Sequence, residues 1–282
     1  MSGIGGSGFC PRILCKRKDE SMISEMNFLE RILYLLQNYG MSFLQGAGTT
    51  LAIAIVSTII GCVIGFAVGV VQTIPVDKKR DGLPKRFILK LVKIILKAYV
   101  ELFRGTPMIV QAVFIYYGAA QVFNIHLGMW QSAFLVVSIN TGAYMAESVR
   151  GGIISVDPGQ MEGAKAIGMT HVQAMLYVIL PQAIRNIIPQ IGNNFIINIK
   201  DSSVLSVIGI VDLFFVHKSV AGALYTFFES ATIVMCIYLV MTVISSRLLL
   251  LWEKKMDGSD NYELVDAMGV GTQFGQEGKG RL

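Results

Sequence analysis

Residues 155–189 read SVDPGQMEGAKAIGMTHVQAMLYVILPQAIRNIIP, a polar interruption between segments apolar enough to live in lipid. Two helix starts follow one another in it. Asp157 suits an N-cap, Pro158 the first helical position, where its missing N–H costs nothing, and Gln160 the returning position of a capping box. The spacing predicts a helix through Met161, Glu162, Ala164 and Ala166 to Gly168, whose freedom at positive φ suits it to end one. Thr170 and Gln173 repeat the capping-box pattern, so a second helix starts at once and is bent or stopped near Pro181. Gly163, Ala164 and Ala166 are small, with Glu162 and Lys165 on the flanks. A short capped helix of low profile is shaped to sit in a partner's cleft; an ordinary surface helix is the plain alternative.

The flanks decide what kind of protein carries this object. Hydrophobic residues make up 53% and charged ones 15% of the chain, and mean hydropathy is +0.58, which marks a polytopic membrane protein. Upstream, Leu51 to Val71 is an uncharged run of 21 residues. At about 1.5 Å per residue it is long enough to cross a hydrocarbon core of about 30 Å. Gly61, Gly65 and Gly69 recur every four residues in it and predict close packing on a neighbouring helix. Ile74 to Lys97 holds eight Lys or Arg and belongs on the cytoplasmic side. Arg86, Lys90, Lys93 and Lys97, continued by Glu101 and Arg104, form a charged stripe on one helical face. This helix rises into a second span near Leu102, with a kink at Gly105, Thr106 and Pro107. Leu127 to Ala146 returns inward and ends at Glu147 and Arg150.

Downstream, Gln190, Asn194, Asn198 and Asp201 step by four, four and three through bilayer depth, a polar stripe that cannot face lipid. Asn194, Asn198, Lys200 and Asp201 are therefore the candidate solute pathway; interhelical hydrogen bonding and a structural ion pair are the alternative. An outer loop around Asp212 to Tyr225 leads to the last span. The expected architecture is an all-α, polytopic membrane bundle of about five crossings with a cytoplasmic coupling helix. Its spans lie near 49–73, 102–123, 127–149, 186–211 and 227–249, within a transmembrane region at 46–255 that contains the polar loop 155–181. A disordered basic tail at 1–26, containing the alternative start Met22 and ending at another, Met26, and an interfacial helix at 27–45 precede it; a flexible tail at 256–282 follows. Five crossings with the positive residues inside place the N-terminal region outside and the C-terminus in the cytoplasm.

Other chemistries find no support in the residues. The net charge of +5 is explained by where the Lys and Arg fall, and no nucleic-acid module is present. Gly275 to Gly280 resembles a phosphate loop, but Gln273 and Gly280 stand where Gly and a magnesium-binding Ser or Thr are needed. His126, His171 and His217 are isolated, so no metal site is expected. Cys10, Cys15, Cys62 and Cys236 form no metal or disulfide pattern.

Glu162, Gly163 and Ala164, then Gly168, Val178, Leu180 and Pro181, resemble the EAA loop of bacterial ABC importer permeases in residue type and spacing. Gly163 replaces the usual middle alanine and Val178 the usual isoleucine. Tyr99 to Gln111, Ala143 to Gln160 and Asn194 to Leu213 extend the resemblance to the polar amino-acid branch of that family. The resemblance implies an inner-membrane subunit without an ATP site of its own or any other cofactor. It also implies a partner ATP-binding subunit that receives Asp157, Glu162, Gly163, Ala164 and Gly168, an extracytoplasmic solute-binding protein, and a homodimer or a pairing with a related permease. The residues alone leave open an ion-coupled carrier using Asp201 or Glu229, and a scaffold that transports nothing.

Overall fold

The computed structural model describes residues 26–75 and 82–256, and among these all regular structure is helical. The expected tails at 1–26 and 256–282, apart from Met26 and Met256, lie outside the described residues, as do Cys10, Cys15 and the part of the basic run from Lys78 to Arg80. The elements are α1 (Phe28–Thr73), α2 (Leu83–Gly105), α3 (Met108–Phe123), α4 (Met129–Ile154), α5 (Pro158–Ala166), α6 (His171–Ala174), a π turn (Met175–Ile179), α7 (Leu180–Asp201), a 3-10 segment (Ser202–Ile208), α8 (Leu213–Leu224) and α9 (Phe227–Met256).

The bundle is organised on the pairing of α1 with α4, and glycines make it possible. Gly61 faces Thr141, Gly65 faces Met145 and Gly69 faces Val149, each so close that a Cβ there would stand within 2.7 Å of the opposing side chain. Between lipid-dissolved helices, association depends on such close packing, because burying apolar surface away from lipid gains little. Val136, Val137, Met145, Ala146 and Val149 of α4 are consequently buried.

The interfacial helix expected at 27–45 is not a separate element. It is the first part of α1, a single helix of 46 residues, about 69 Å long at about 1.5 Å per residue. One face of its early turns is packed against the bundle, while Phe28, Leu29, Leu33 and Leu36 stay exposed. Leu35 and Phe43 pack with Leu213, Val216, Val220 and Leu224 of α8 and with Ile233 and Val234 of α9. Arg31 pairs with Glu229 at 3.0 Å. The stretch read as an outer loop, Asp212 to Tyr225, is likewise a correction: it holds the 12-residue helix α8. Asp212 caps it, accepting from the Phe214 and Phe215 N–H groups, and its apolar face completes the cluster with α1 and α9.

By length and apolarity alone, α1 and α9 can cross a membrane, and the α6–α7 rod with its 3-10 end forms a third such unit with α8, bent by 53°. The 16-residue α3 is shorter than a full crossing. The polar groups of α4, including Ser132, Ser138, Asn140 and Thr141, are buried among neighbours, so the helix does not need a uniformly apolar surface.

At the expected kink, α2 and α3 are separate helices joined at Thr106 and Pro107. Pro107 has no N–H to offer the carbonyl four residues back, at Phe103. Side chains supply it instead. Gln111 Nε2 donates to Phe103 O at 2.9 Å and to Thr106 O at 2.9 Å, and Asn140 Nδ2 donates to Phe103 O at 3.1 Å and to Gln111 Oε1 at 3.0 Å. Asn140→Leu should therefore lower stability by about 1–3 kcal/mol, the usual cost of a buried polar group losing its partner. Thermal unfolding of the purified protein measures it; an unchanged melting temperature would show that the network does not brace the break.

Candidate coupling corner and solute pathway

The corner forms as its residues dictate. Asp157 Oδ1 accepts from the Gly159 N–H at 2.7 Å, and Pro158 opens α5. Gln160 does not return to the cap as expected; its Oε1 accepts from Gln182 Nε2 at 3.5 Å, so a cross-contact takes the place of the capping box. Gly168 ends the helix at φ +89°. The Gly168 N–H reaches Lys165 O at 3.0 Å and the Met169 N–H reaches Ala164 O at 3.1 Å, the paired bonds that close a helix over a left-handed residue. Thr170 and Gln173 then form a reciprocal capping box.

Glu162, Gly163 and Gly168 are exposed, as is Asp157. Ala164 is not. It is 5% exposed and seats α5 against the body of the protein, while Asp157, Glu162, Gly163 and Gly168 remain at the surface. Ile167 and Val172, at 76% and 64% exposed, are the apolar residues that stand out at the corner. Sequence reading missed both, because an apolar residue in a short helix reads as inward. Burial, with Lys165 nearby, lowers the His171 pKa below its ordinary value, which favours a neutral ring at the start of α6.

Beyond the corner the chain does not stop at Pro181. Leu180 N–H donates to Met175 O, five residues back, and this widened turn makes room for the proline ring that an α turn would exclude. α6, the π turn and α7 form one rod from His171 to Asp201. Asn186 Nδ2 bonds Ser155 Oγ at 2.9 Å, so together with the Gln182–Gln160 contact the corner is tied sideways to the rod as well as through the backbone.

The polar stripe divides. Asn198 is 4% exposed and lies between three helices: its Nδ2 donates to Thr58 Oγ1 at 2.8 Å and Thr141 Oγ1 at 3.0 Å. Asn194, also buried, donates to Gln190 O at 2.8 Å and approaches Met145 Sδ at 3.3 Å. Gln190, Lys200 and Asp201 are exposed. Lys200 lines a cavity of about 350 Å³ with Phe214, His217, Val234, Met235 and Tyr238; Asp201 does not. Asn198→Leu should cost about 1–3 kcal/mol by stranding Thr58 and Thr141, read as a lower melting temperature. Unchanged melting would remove Asn198 from the interhelical brace.

The family described as the inner membrane component of binding-protein-dependent transport systems matches residues 84–258. The chain belongs to this family. The glutamine transport system permease protein of Escherichia coli (strain K12) is 33% identical, over 76% of this chain and 92% of that one. The nopaline transport system permease protein of Agrobacterium fabrum (strain C58) is 35% identical, over 74% of this chain and 86% of that one. Among solved structures, an amino acid ABC transporter crystallised with histidines superposes with a TM-score of 0.71 at 36% identity, covering 82% of this chain and 99% of that one. The permease is thus a membrane subunit of a transport system, not the family's ATPase.

Within the permease, Glu147 joins α4 to α2. It pairs with Arg150, its neighbour one turn on, and with Arg104 at 3.9 Å, while Arg104 lies over the Tyr144 ring at 5.5 Å. These contacts tie α2 to α4 beside the corner.

Proposed function

We propose that this permease moves a polar amino acid inward, driven by a partner ATP-binding subunit that seats α5, and supplied by a solute-binding protein at the opposite face. The observation that carries the reading is the continuity of the exposed, capped α5 with the rod that holds the polar stripe. A displacement of α5 passes to α6 and α7 through the short Gly168 corner and its two side-chain ties, Gln160–Gln182 and Ser155–Asn186, as coupling of two sites through contiguous packed elements requires. The corner lies in the cytoplasm, with the N-terminal end of α1 outside. ATP is bound and hydrolysed on the partner. Lys200 and Asp201 meet the solute, while Asn194 and Asn198 hold the rod to α1 and α4. A second permease, the same or related, completes the pathway.

Reconstitution with the partner ATPase and binding protein in proteoliposomes tests this. Radiolabelled glutamine or another polar amino acid should accumulate only with ATP inside the compartment that holds the ATPase. Accumulation driven by an ion gradient without ATP would replace this reading with the ion-coupled carrier.

A further inference from the structure

The transport reading leaves one edge of α2 without a role. The helix has three faces. Leu96, Tyr99 and Val100 pack into the bundle near Ile64, Val68 and Ala146. Phe87, Leu91, Ile94, Ile95 and Leu102 are exposed and apolar. Between these faces, Lys93, Lys97, Glu101 and Arg104 open on a cavity of about 540 Å³ whose other wall is Gln72 of α1 with Glu147 and Arg150 of α4.

Among the described residues, four cations face two carboxylates there, a surplus of two positive charges. Glu147 is committed to Arg104 and Arg150, and Lys97 pairs with Glu101 at 3.5 Å while its side chain stays 76% exposed. Lys93 Nζ donates to Ile74 O, which uses one of an ammonium's three donors, and a guanidinium carries five. Donors and charge therefore exceed what the described residues consume. Arg86 and Lys90 continue the row along the same helix. A basic row on an amphipathic helix beside membrane spans is the arrangement that attracts anionic lipid. The apolar face next to it fits acyl chains. A second permease copy could cover that face without neutralising the row; a phospholipid does both.

We propose that this cavity binds the headgroup phosphate of an anionic phospholipid, whose acyl chains lie along Ile94, Ile95 and Leu102. The proposal rests on the transport reading only in placing α2 at the cytoplasmic leaflet.

Native mass spectrometry of the full chain in mild detergent, incubated with phosphatidylglycerol, phosphatidylcholine or inorganic phosphate, tests it. Phosphatidylglycerol should be retained in preference to phosphatidylcholine and should be released as salt is raised, because screening weakens such contacts. A near-surface Lys strengthens anionic-lipid binding by about fivefold, so Lys93→Gln with Lys97→Gln should weaken it about thirtyfold, and the Arg pair should restore it. Equal retention of the two lipids, retention insensitive to salt, undiminished binding in the Gln pair, or displacement by equimolar phosphate would each overturn the proposal. The salt series uses the unaltered protein, so it decides even if the Gln pair fails to fold. Lipid binding that persists while ATP-driven uptake fails would sink the transport reading and leave this one standing.

Discussion

Gly65→Ala is expected to destabilise the permease by about 3 kcal/mol or more, at or beyond the top of the usual overpacking range. The added methyl would stand 2.3 Å from Met145 Cβ and 2.9 Å from Ala146 N and Gly142 O. The last two are backbone atoms of a buried helix and cannot swing aside. α1 and α4 would have to separate, and the neighbouring contacts at Gly61 and Gly69 would open with them. Gly48, in the same helix, has nothing within 4 Å of its added Cβ. Gly48→Ala should therefore gain up to about 1 kcal/mol from helix propensity alone. The two melting temperatures should move in opposite directions relative to the parent protein. If both rise or both stay, the close approach of α1 and α4 is not what holds the bundle.

Gly168→Asp is expected to reduce ATP-driven uptake at least about tenfold, equivalent to about 1.4 kcal/mol of lost docking or coupling, while the permease remains in the membrane. At φ +89° a residue with a Cβ carries a penalty of about 1–2 kcal/mol, relieved only if the corner reshapes and re-aims α5. Gly168→Asn should lose less, since asparagine tolerates this region better than most residues. The readouts are uptake and ATP hydrolysis in the same reconstituted vesicles. Hydrolysis that continues while uptake collapses identifies uncoupling; normal uptake by the Asp variant would end the coupling role for this corner.

Much of the fold can be read locally. Capping boxes, the glycine repeat and uncharged runs act over a few residues, so α5, α6 and the packing face of α1 are legible in the sequence, whereas the choice of α4 as its partner is not. Position 157–160 shows the limit: the cap at Asp157 forms, but Gln182 arrives from the rod and claims Gln160. Likewise the stripe at Asn194 and Asn198 was legible as polar, whereas its partners, Thr58 and Thr141, come from helices 140 and 57 residues away in sequence from Asn198. Asp212 to Tyr225 looked like a loop because α8 is too short to announce a crossing; only α1 and α9 make it a buried helix. The outward placement of Ile167 and inward placement of Ala164 depend on where the π turn sets the corner, which no local spacing records.

That π turn has a further consequence. It is an α-helix with one residue too many, so a chain lacking a residue between Met175 and Ile179 would close into ordinary α winding. Because the wide turn takes up its additional residue locally, α5 would keep nearly the same phase on the rod, but the ring of Pro181 would meet the carbonyl one turn before it. The rod would kink at the proline and tilt the corner, so the spare residue is what lets a proline stand within a straight lever.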